Sequence, residues 1–154
     1  MMKLKSNNYN NLLEIKCDNN TPIVFKYIGE CTNVYNNNEK LYMNVKFSPS
    51  IIDDIVNFEN KLKQQYIKCV SEHKTFSTNI NNNELTSIKI PRHYNHISIP
   101  IKTKNDEKLL FEHLENGVMI HIYFTPSFIW QNNDIYGITW LTKYIKTNIT
   151  YINK

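Results

Sequence analysis

Few residues in this chain could perform catalysis. The closest pair among its five histidines is His93 and His96, and no carboxylate lies near them in sequence, whereas a metal site needs three or four convergent ligands. The acidic pairs Asp53–Asp54 and Asp106–Glu107 fall in predicted first helical turns, where the helix dipole accounts for them. Only three glycines are present, without a GxSxG, GKS or GKT motif, which argues against a nucleotide-cradling loop. The sequence therefore predicts no enzyme, no metal and no cofactor.

Aromatic rings and lysines could instead bind single-stranded nucleic acid. Bases stack on aromatic faces, each stack contributing about 1–3 kcal/mol, and a lysine-lined groove holds the backbone. The single arginine, Arg92, argues against base-edge readout of a duplex, which relies on bidentate guanidinium contacts. A formal net charge of +4 permits a polyanionic partner but is below that expected of a dedicated duplex binder. The candidate nucleic-acid-binding residues are Tyr42, Lys46, Arg92, Tyr94, Tyr123, Trp130, Trp140 and Lys143.

Each of these candidates also has a purely structural interpretation. Trp130 lies in a polar turn region, where no strand pairing forces its ring inward, so it is the stronger base-stacking candidate of the two tryptophans. Trp140 lies in mid-strand, where burial in the core is the commoner outcome. The excess of lysine over arginine, with abundant Asn, Ile and Tyr and no alanine, also matches the codons of an AT-rich genome. Composition alone therefore leaves the binding interpretation open.

Two helices are predicted. In the first, from Ser48 to about residue 72, Ser48 is the cap and Pro49 suits the first turn. Its apolar residues recur at spacings of three and four and form one stripe that packs on a sheet: Ile51, Ile55, Phe58, Leu62, Tyr66 and Cys69. The second helix is short, covers about residues 105–116, and ends at Gly117.

The remaining apolar segments alternate with period two and predict strands. They are residues 23–28, stopped by Gly29, then 40–47, 85–90, and 97–101. A long C-terminal hairpin follows, in which Pro126 ends the first strand and residues 131–134 form the turn. Tyr136, Ile138, Trp140, Thr142 and Tyr144 are predicted to share one face of its second strand.

Adjacent pairs of strands with short connections predict a mainly β fold. Such pairs disfavour parallel β-α-β winding and favour an OB-like antiparallel barrel with the long helix at one end. Residues 1–20 are predicted to be a polar lead-in, in which residues 12–15 pair at a sheet edge, and residues 21–154 form a single OB-like domain.

The C-terminal hairpin resembles that of single-stranded-DNA-binding proteins from phages and large DNA viruses. The resemblance covers about the last quarter of the chain and rests on residues 119–126 and on the aromatic-Gly-aliphatic step Tyr136-Gly137-Ile138. It implies an OB-fold that coats single strands during DNA replication or recombination, together with replication proteins as partners. Many of these proteins end in an acidic tail that recruits such partners, whereas this chain ends Tyr151-Ile152-Asn153-Lys154.

A protein-interaction or virion structural module that forms a homo-oligomer through the same aromatic hairpin is the alternative, because tyrosine and tryptophan are also enriched in protein interfaces. No apolar run approaches the roughly 18 residues of a membrane span, and no secretion signal is evident. We therefore expect an intracellular protein of the cytoplasm or nucleus, with no membrane partner. Cys17, Cys31 and Cys69 are expected to be free thiols. The sequence leaves open whether the strand is DNA or RNA.

Overall fold

The structure is a computed structural model and describes residues 2–6, 12–17, 19–70, 74–93, 96–114 and 116–149. No helix in these ranges is long and apolar enough to cross a membrane. The helical elements are α1 (Pro49–Cys69) and the 3-10 turn η1 (Phe111–His113). The strands are β1 (Met2–Ser6), β2 (Leu13–Cys17), β3 (Phe25–Asn37), β4 (Lys40–Lys46), β5 (Thr75–Ser77), β6 (Leu85–Ile90), β7 (Arg92–His93), β8 (His96–Ile97), β9 (Ile101–Lys102), β10 (Val118–Gln131) and β11 (Ile135–Thr147).

Five strands close into a barrel in the order β3-β4-β6-β11-β10, with β10 pairing back to β3. All of these pairings are antiparallel except that of β6 with β11, which is parallel and aligns Lys89 with Leu141. The prediction of a mainly β, OB-like barrel with one long helix is confirmed. The segment predicted to be a polar lead-in contains β1 and β2, which pair antiparallel and extend the sheet beside β10.

Inward-facing apolar side chains of the barrel strands and of α1 form one core. The alternation predicted for β4 holds, because Leu41, Met43, Val45 and Phe47 are all buried. The apolar stripe of α1 is buried through Ile55, Leu62 and Tyr66, and Tyr66 stacks on Tyr136 with ring centroids 3.8 Å apart. Cys69 was predicted to belong to this stripe but is exposed at the last helical residue.

The start of α1 differs in detail from the prediction. Ser48 is the N-cap residue, yet its hydroxyl makes no capping hydrogen bond to the backbone. The first turn contains no acidic residue, because Asp53 and Asp54 come after it. Asp54 instead accepts a hydrogen bond from the Tyr27 hydroxyl at 3.1 Å, which ties α1 to β3. Tertiary contact therefore accounts for Asp54 better than the helix dipole does.

Strand β3 does not stop at Gly29, contrary to the prediction. Gly29 lies inside the strand and faces the core, where an added Cβ would come within 2.5 Å of Val45 and 2.8 Å of Phe47. The glycine thus makes room for two core side chains rather than turning the chain. The strand continues for 13 residues to Asn37, and it tightens its curvature at a bulge between Cys31 and Asn33.

Strand β10 likewise continues through Pro126, so the prediction that Pro126 ends it is wrong. The pairing of β10 with β11 is irregular beside this proline, and Ser127 is the extra residue there. A proline lacks the backbone N–H of a regular ladder and is tolerated at such bulges. The predicted turn at residues 131–134 does reverse the chain, because the Asn132 side chain accepts hydrogen bonds from the backbone of Asp134 and Ile135.

A second bulge changes which side chains of β11 face outward. Tyr123 pairs with Tyr144 and Phe124 with Thr142, so Lys143 is an extra residue on β11. Trp140 and Thr142 are buried on the inner side, whereas after the bulge Ile145 is buried and Tyr144 is half-exposed. Tyr144 therefore faces away from Trp140, contrary to the prediction that the two residues share a face.

Among the described residues between β6 and β10 there is no second long helix, and Leu109 and Leu114 of this segment are buried in the core. Here the Thr103 hydroxyl accepts hydrogen bonds from the backbone N–H groups of Asn105 and Glu107, and Asp106 has a φ of 65°. These bonds form a tight turn, which replaces the first turn of the predicted helix. In the described part of residues 105–116, where a helix was predicted, the one helical element is the 3-10 turn η1.

Candidate nucleic-acid interface

The structure separates the predicted binding residues into several locations. Tyr42 and Lys46 lie on the outer side of β4, and Tyr123 lies on the outer side of β10. Trp140 lies in the core. Two outer surfaces each combine a pair of tyrosines with at least one lysine, and we name each surface after one of its tyrosines. The Tyr35 face comprises Tyr35, Tyr42, Ser87 and Lys89, and the Tyr123 face comprises Lys26, His121, Tyr123, Tyr144 and Lys146.

On the Tyr35 face, two tyrosine rings are held nearly parallel. Tyr35 of β3 and Tyr42 of β4 lie directly opposite one another, with ring centroids 5.5 Å apart and an interplanar angle of 18°. The Tyr35 hydroxyl is 2.5 Å from the Ser87 hydroxyl of β6, which fixes the orientation of that ring. Burial, and then the neighbouring Tyr35, raises the pKa of Tyr42, so the Tyr42 ring is uncharged at neutral pH.

Lysines flank this tyrosine pair on the same side of the sheet. Lys89 of β6 is the strand partner of Tyr42. Burial lowers the pKa of Lys89, and the positive charge of Lys40 lowers it further. An anion placed between two such lysines would relieve their mutual repulsion. Lys46 extends the row of cations along β4, where its partner on β3 is Glu30.

On the Tyr123 face, Tyr123 and Tyr144 pair across β10 and β11, with ring centroids 5.3 Å apart and an interplanar angle of 60°. The ammonium group of Lys26, on β3, lies 5.1 Å from the centroid of the Tyr123 ring. The tyrosines line an open depression of about 940 Å³. Its other lining residues are His121, Lys104, Lys146, Thr147 and Asn148.

An ion pair is present at the rim of this depression. The Lys146 ammonium donates a hydrogen bond to the Asp106 carboxylate at 2.9 Å. Hydrogen bonding to Lys146, and then its positive charge, lowers the pKa of Asp106, and the same hydrogen bond raises the pKa of Lys146. Both groups therefore carry full charge at neutral pH, and Asp106 is the anion bound by Lys146 in this structure.

Neither tryptophan has the position that a free base-stacking residue needs. Trp140 is fully buried and packs against Phe25, Phe58 and Phe124 at centroid distances of 5.4 to 5.5 Å, so its ring has no face open to a base. Trp130 was predicted to lie in a turn but belongs to β10, opposite Gly137. Its ring is half-buried against Gly137, where an added Cβ would lie 2.5 Å from the ring.

Two further predicted residues, Arg92 and Lys143, lie apart from the tyrosine pairs. Arg92 is exposed in β7, and its guanidinium group donates a hydrogen bond to the Glu39 carbonyl in the turn between β3 and β4. Lys143 is exposed at the bulge of β11 and lines a small groove with Glu14 and Lys16. Tyr94 lies outside the described residues.

Sequence reasoning missed Tyr35, Tyr144, Lys26, Lys89 and Lys146. Lys26 and Lys89 were detectable, since each lies within a predicted strand, and Lys89 stands between the apolar residues Ile88 and Ile90. Tyr35 was missed because the strand predicted at residues 23–28 ends before it, whereas β3 continues to Asn37. Tyr144 was assigned to the wrong face because a bulge residue has no distinctive sequence signature.

Within the residues that the structure describes, no group of three or more His, Cys, Asp or Glu side chains could hold a metal ion. No protein-family model, curated protein or solved structure matches the chain.

Proposed function

We propose that this protein binds single-stranded nucleic acid, DNA in the first instance, without sequence preference, and that the Tyr35 face is its binding surface. The observation that carries the proposal is the nearly parallel Tyr35–Tyr42 pair with Lys89 beside it. Aromatic rings form a sequence-tolerant platform for single strands, because every base has a π-face that can stack on them. Strand and ring positions are fixed before binding, so little conformational freedom is lost when a base stacks.

The position of this face within the barrel supports the proposal. Tyr42 and Lys89 belong to β4 and β6, the second and third strands of the barrel in chain order. In OB-folds the outer side of these two strands binds oligonucleotides, together with the loop between the first and second strands. That loop is the β3–β4 turn, to which the guanidinium group of Arg92 is bound.

The lysines of this face suit contacts to phosphate rather than to base edges. A lysine acts as a flexible point charge, whereas base readout relies on the planar fork of arginine. The resemblance of the C-terminal hairpin to phage and viral proteins extends the proposal to the coating of single strands in DNA replication or recombination. The non-enzymatic role and the intracellular location expected from the sequence belong to this same proposal.

Titration of a fluorescent oligo-dT of about 30 nucleotides tests the proposal. Tyr42→Leu should weaken binding by about 1–3 kcal/mol, whereas Tyr42→Phe, which keeps the ring, should retain it. Lys89→Gln should reduce the slope of log affinity against log salt by about 0.7, the value for one phosphate contact to a single strand. Lys61→Gln, on the exposed side of α1, is the matched control and should change little. Unchanged binding by Tyr42→Leu would refute the assignment of this face.

A second candidate function is a homo-oligomerising interaction module. The observation that favours it is the exposure of Ile28 (50%) and Met119 (39%), two apolar residues on β3 and β10 next to the Tyr123 face. Light scattering at high salt distinguishes the two functions, because an apolar oligomer persists when salt is raised while nucleic-acid binding weakens. An oligomer that persists at high salt, in a protein without affinity for oligo-dT, would establish the second candidate.

A further inference from the structure

The Tyr123 face lies on a different part of the barrel from the Tyr35 face. It is formed by β3, β10 and β11, whereas the Tyr35 face is formed by β3, β4 and β6. The two faces share only β3, whose outward side chains include Lys26 in the Tyr123 face and Tyr35 in the Tyr35 face. The two faces are therefore separate patches of the barrel surface.

The charges around the tyrosines of this face favour an anionic ligand. Lys26 lies over the ring of Tyr123, and Lys104 and Lys146 line the depression beside Tyr144. Asp106 is the carboxylate that contacts this group, and it is bound to Lys146. Aromatic rings and lysines within one open depression are the combination that binds a base and its phosphates.

We infer that the Tyr123 face is a second binding site for single-stranded nucleic acid, in which a base packs on Tyr123 and Tyr144 while lysines 26, 104 and 146 contact the adjoining phosphates. The inference rests on the proposed function, because it takes the same ligand class. It extends the binding surface from one side of the barrel to two. The exposed side chains of Ile28 and Met119 then offer apolar contact to sugars and base edges next to the tyrosines.

A second copy of the chain fits this face less well. A twofold dimer places the same patch on both subunits, so Lys26 and Lys146 would meet their own copies or one another. Like charges held opposite each other across an interface oppose association. The polyanionic backbone of a single strand meets no such repulsion.

Asp106 competes with phosphate for Lys146 in this arrangement. Its carboxylate is exposed, lies in a turn with a φ of 65°, and accepts a hydrogen bond from the Lys146 ammonium. Asparagine tolerates this backbone conformation, so Asp106→Asn removes the charge without straining the turn. Releasing Lys146 should make one more lysine available to the backbone of the strand. The substitution is therefore expected to strengthen binding, a direction that partial unfolding would not produce.

One set of titrations with a fluorescent oligo-dT of about 30 nucleotides tests the inference. Asp106→Asn should raise affinity about two- to tenfold at low salt and steepen the salt slope by about 0.7. Asp53→Asn, on the exposed side of α1, changes the net charge equally and is the matched control. Tyr144→Leu should lower the affinity for oligo-dT about 5- to 100-fold, whereas Tyr144→Phe, which keeps the ring, should retain the wild-type affinity.

The pattern across variants separates this inference from the proposed function. If Tyr42→Leu weakens binding while the Tyr144 and Asp106 variants match wild type, the second site is refuted and the proposed function stands. If Asp106→Asn and Asp53→Asn raise affinity equally, the gain is due to net charge and the site is refuted. If wild type has no affinity for oligo-dT, both proposals fail. If Tyr144→Leu changes only the oligomeric state seen by light scattering, the Tyr123 face is a protein interface instead.

Discussion

Because Gly137 contacts Trp130, we expect Gly137→Ala to destabilise the wild-type protein but to stabilise a protein that lacks the Trp130 ring. Gly137 has no positive φ, so alanine is compatible with its backbone, but the new Cβ would lie 2.5 Å from the Trp130 ring. The ring cannot move away without losing its packing on the strand. Gly137→Ala alone should therefore destabilise the protein by about 1–3 kcal/mol, the usual range for an overpacked site.

When Trp130 is replaced by alanine, the obstacle to a Cβ at position 137 is gone. Gly137→Ala should then stabilise the Trp130→Ala protein by about 0.5–1 kcal/mol, because alanine restricts the unfolded chain and suits a strand interior better than glycine. The two substitutions should thus show an interaction energy of about 1.5–4 kcal/mol. Trp130→Ala alone should also lower stability, since the half-buried ring covers Gly137, but by less than the roughly 3–5 kcal/mol typical of a fully buried aromatic ring.

Urea unfolding of the four proteins in this double-mutant cycle measures these free energies. Additive effects, with Gly137→Ala equally destabilising in both backgrounds, would refute the proposed contact. The cycle also bears on function. Unchanged stability and weakened oligo-dT binding in Trp130→Ala would return Trp130 to the binding site as a free ring.

Two further predictions concern buried ionisable groups. Burial raises the pKa of Glu59, so the folded state holds this proton more tightly than the unfolded chain and the contribution of Glu59 to stability falls as pH rises through its folded pKa. Glu59→Gln, which keeps an acceptor for the Thr78 hydroxyl, should therefore gain stability relative to wild type between acidic and neutral pH in urea unfolding; a relative loss at neutral pH would contradict this. Burial, and then the charge of Glu30, raises the pKa of Cys31 to about 11, so an aromatic disulfide reagent at pH 8 should label exposed Cys69 at once and Cys31 only on unfolding; labelling of both at equal rates in the native protein would refute its burial.

Much of the fold could be predicted because period-two and helical patterns report burial directly. The alternation from Leu41 to Phe47 and the stripe through Ile55, Leu62 and Tyr66 correspond to residues that are buried in the structure. Strand β6 has the bounds predicted for it, Leu85–Ile90. These segments lie in regular elements, where each position determines the side of the next.

The predictions of strand and helix boundaries were wrong where a single residue does not have the structural role that is usual for its type. Gly29 and Pro126 commonly end strands, but in this chain one provides space for Val45 and Phe47 and the other lies beside a bulge. The apolar spacing after residue 105 fits a helix. The backbone N–H groups of Asn105 and Glu107, which lie in the first turn of that predicted helix, instead donate hydrogen bonds to the Thr103 hydroxyl. Such outcomes depend on tertiary partners that are distant in sequence.

The candidate site was less predictable than the fold for the same reason. Tyr42 and Tyr123 were identified, but the partners that give each its ring pair, Tyr35 and Tyr144, become their neighbours only through strand register. Register also determines that Trp140 faces inward. A bulge of one residue decides on which side of the barrel wall Tyr144 lies.

The parallel junction of β6 and β11 has a consequence for how the chain reaches its native state. The hairpins β3–β4 and β10–β11 join neighbouring segments, whereas the barrel closes through two non-local pairings. The junction aligns Lys89 with Leu141, and the pairing of β3 with β10 aligns Phe25 with Phe124. Closing so long a loop is entropically unfavourable, and non-local pairing of this kind slows folding. Until the junction forms, β6 and β11 present unpaired edges that can pair with other chains. We therefore expect the joining of β3–β4–β6 to the β10–β11 hairpin, through the β3–β10 and β6–β11 pairings, to be the late, aggregation-sensitive step of folding.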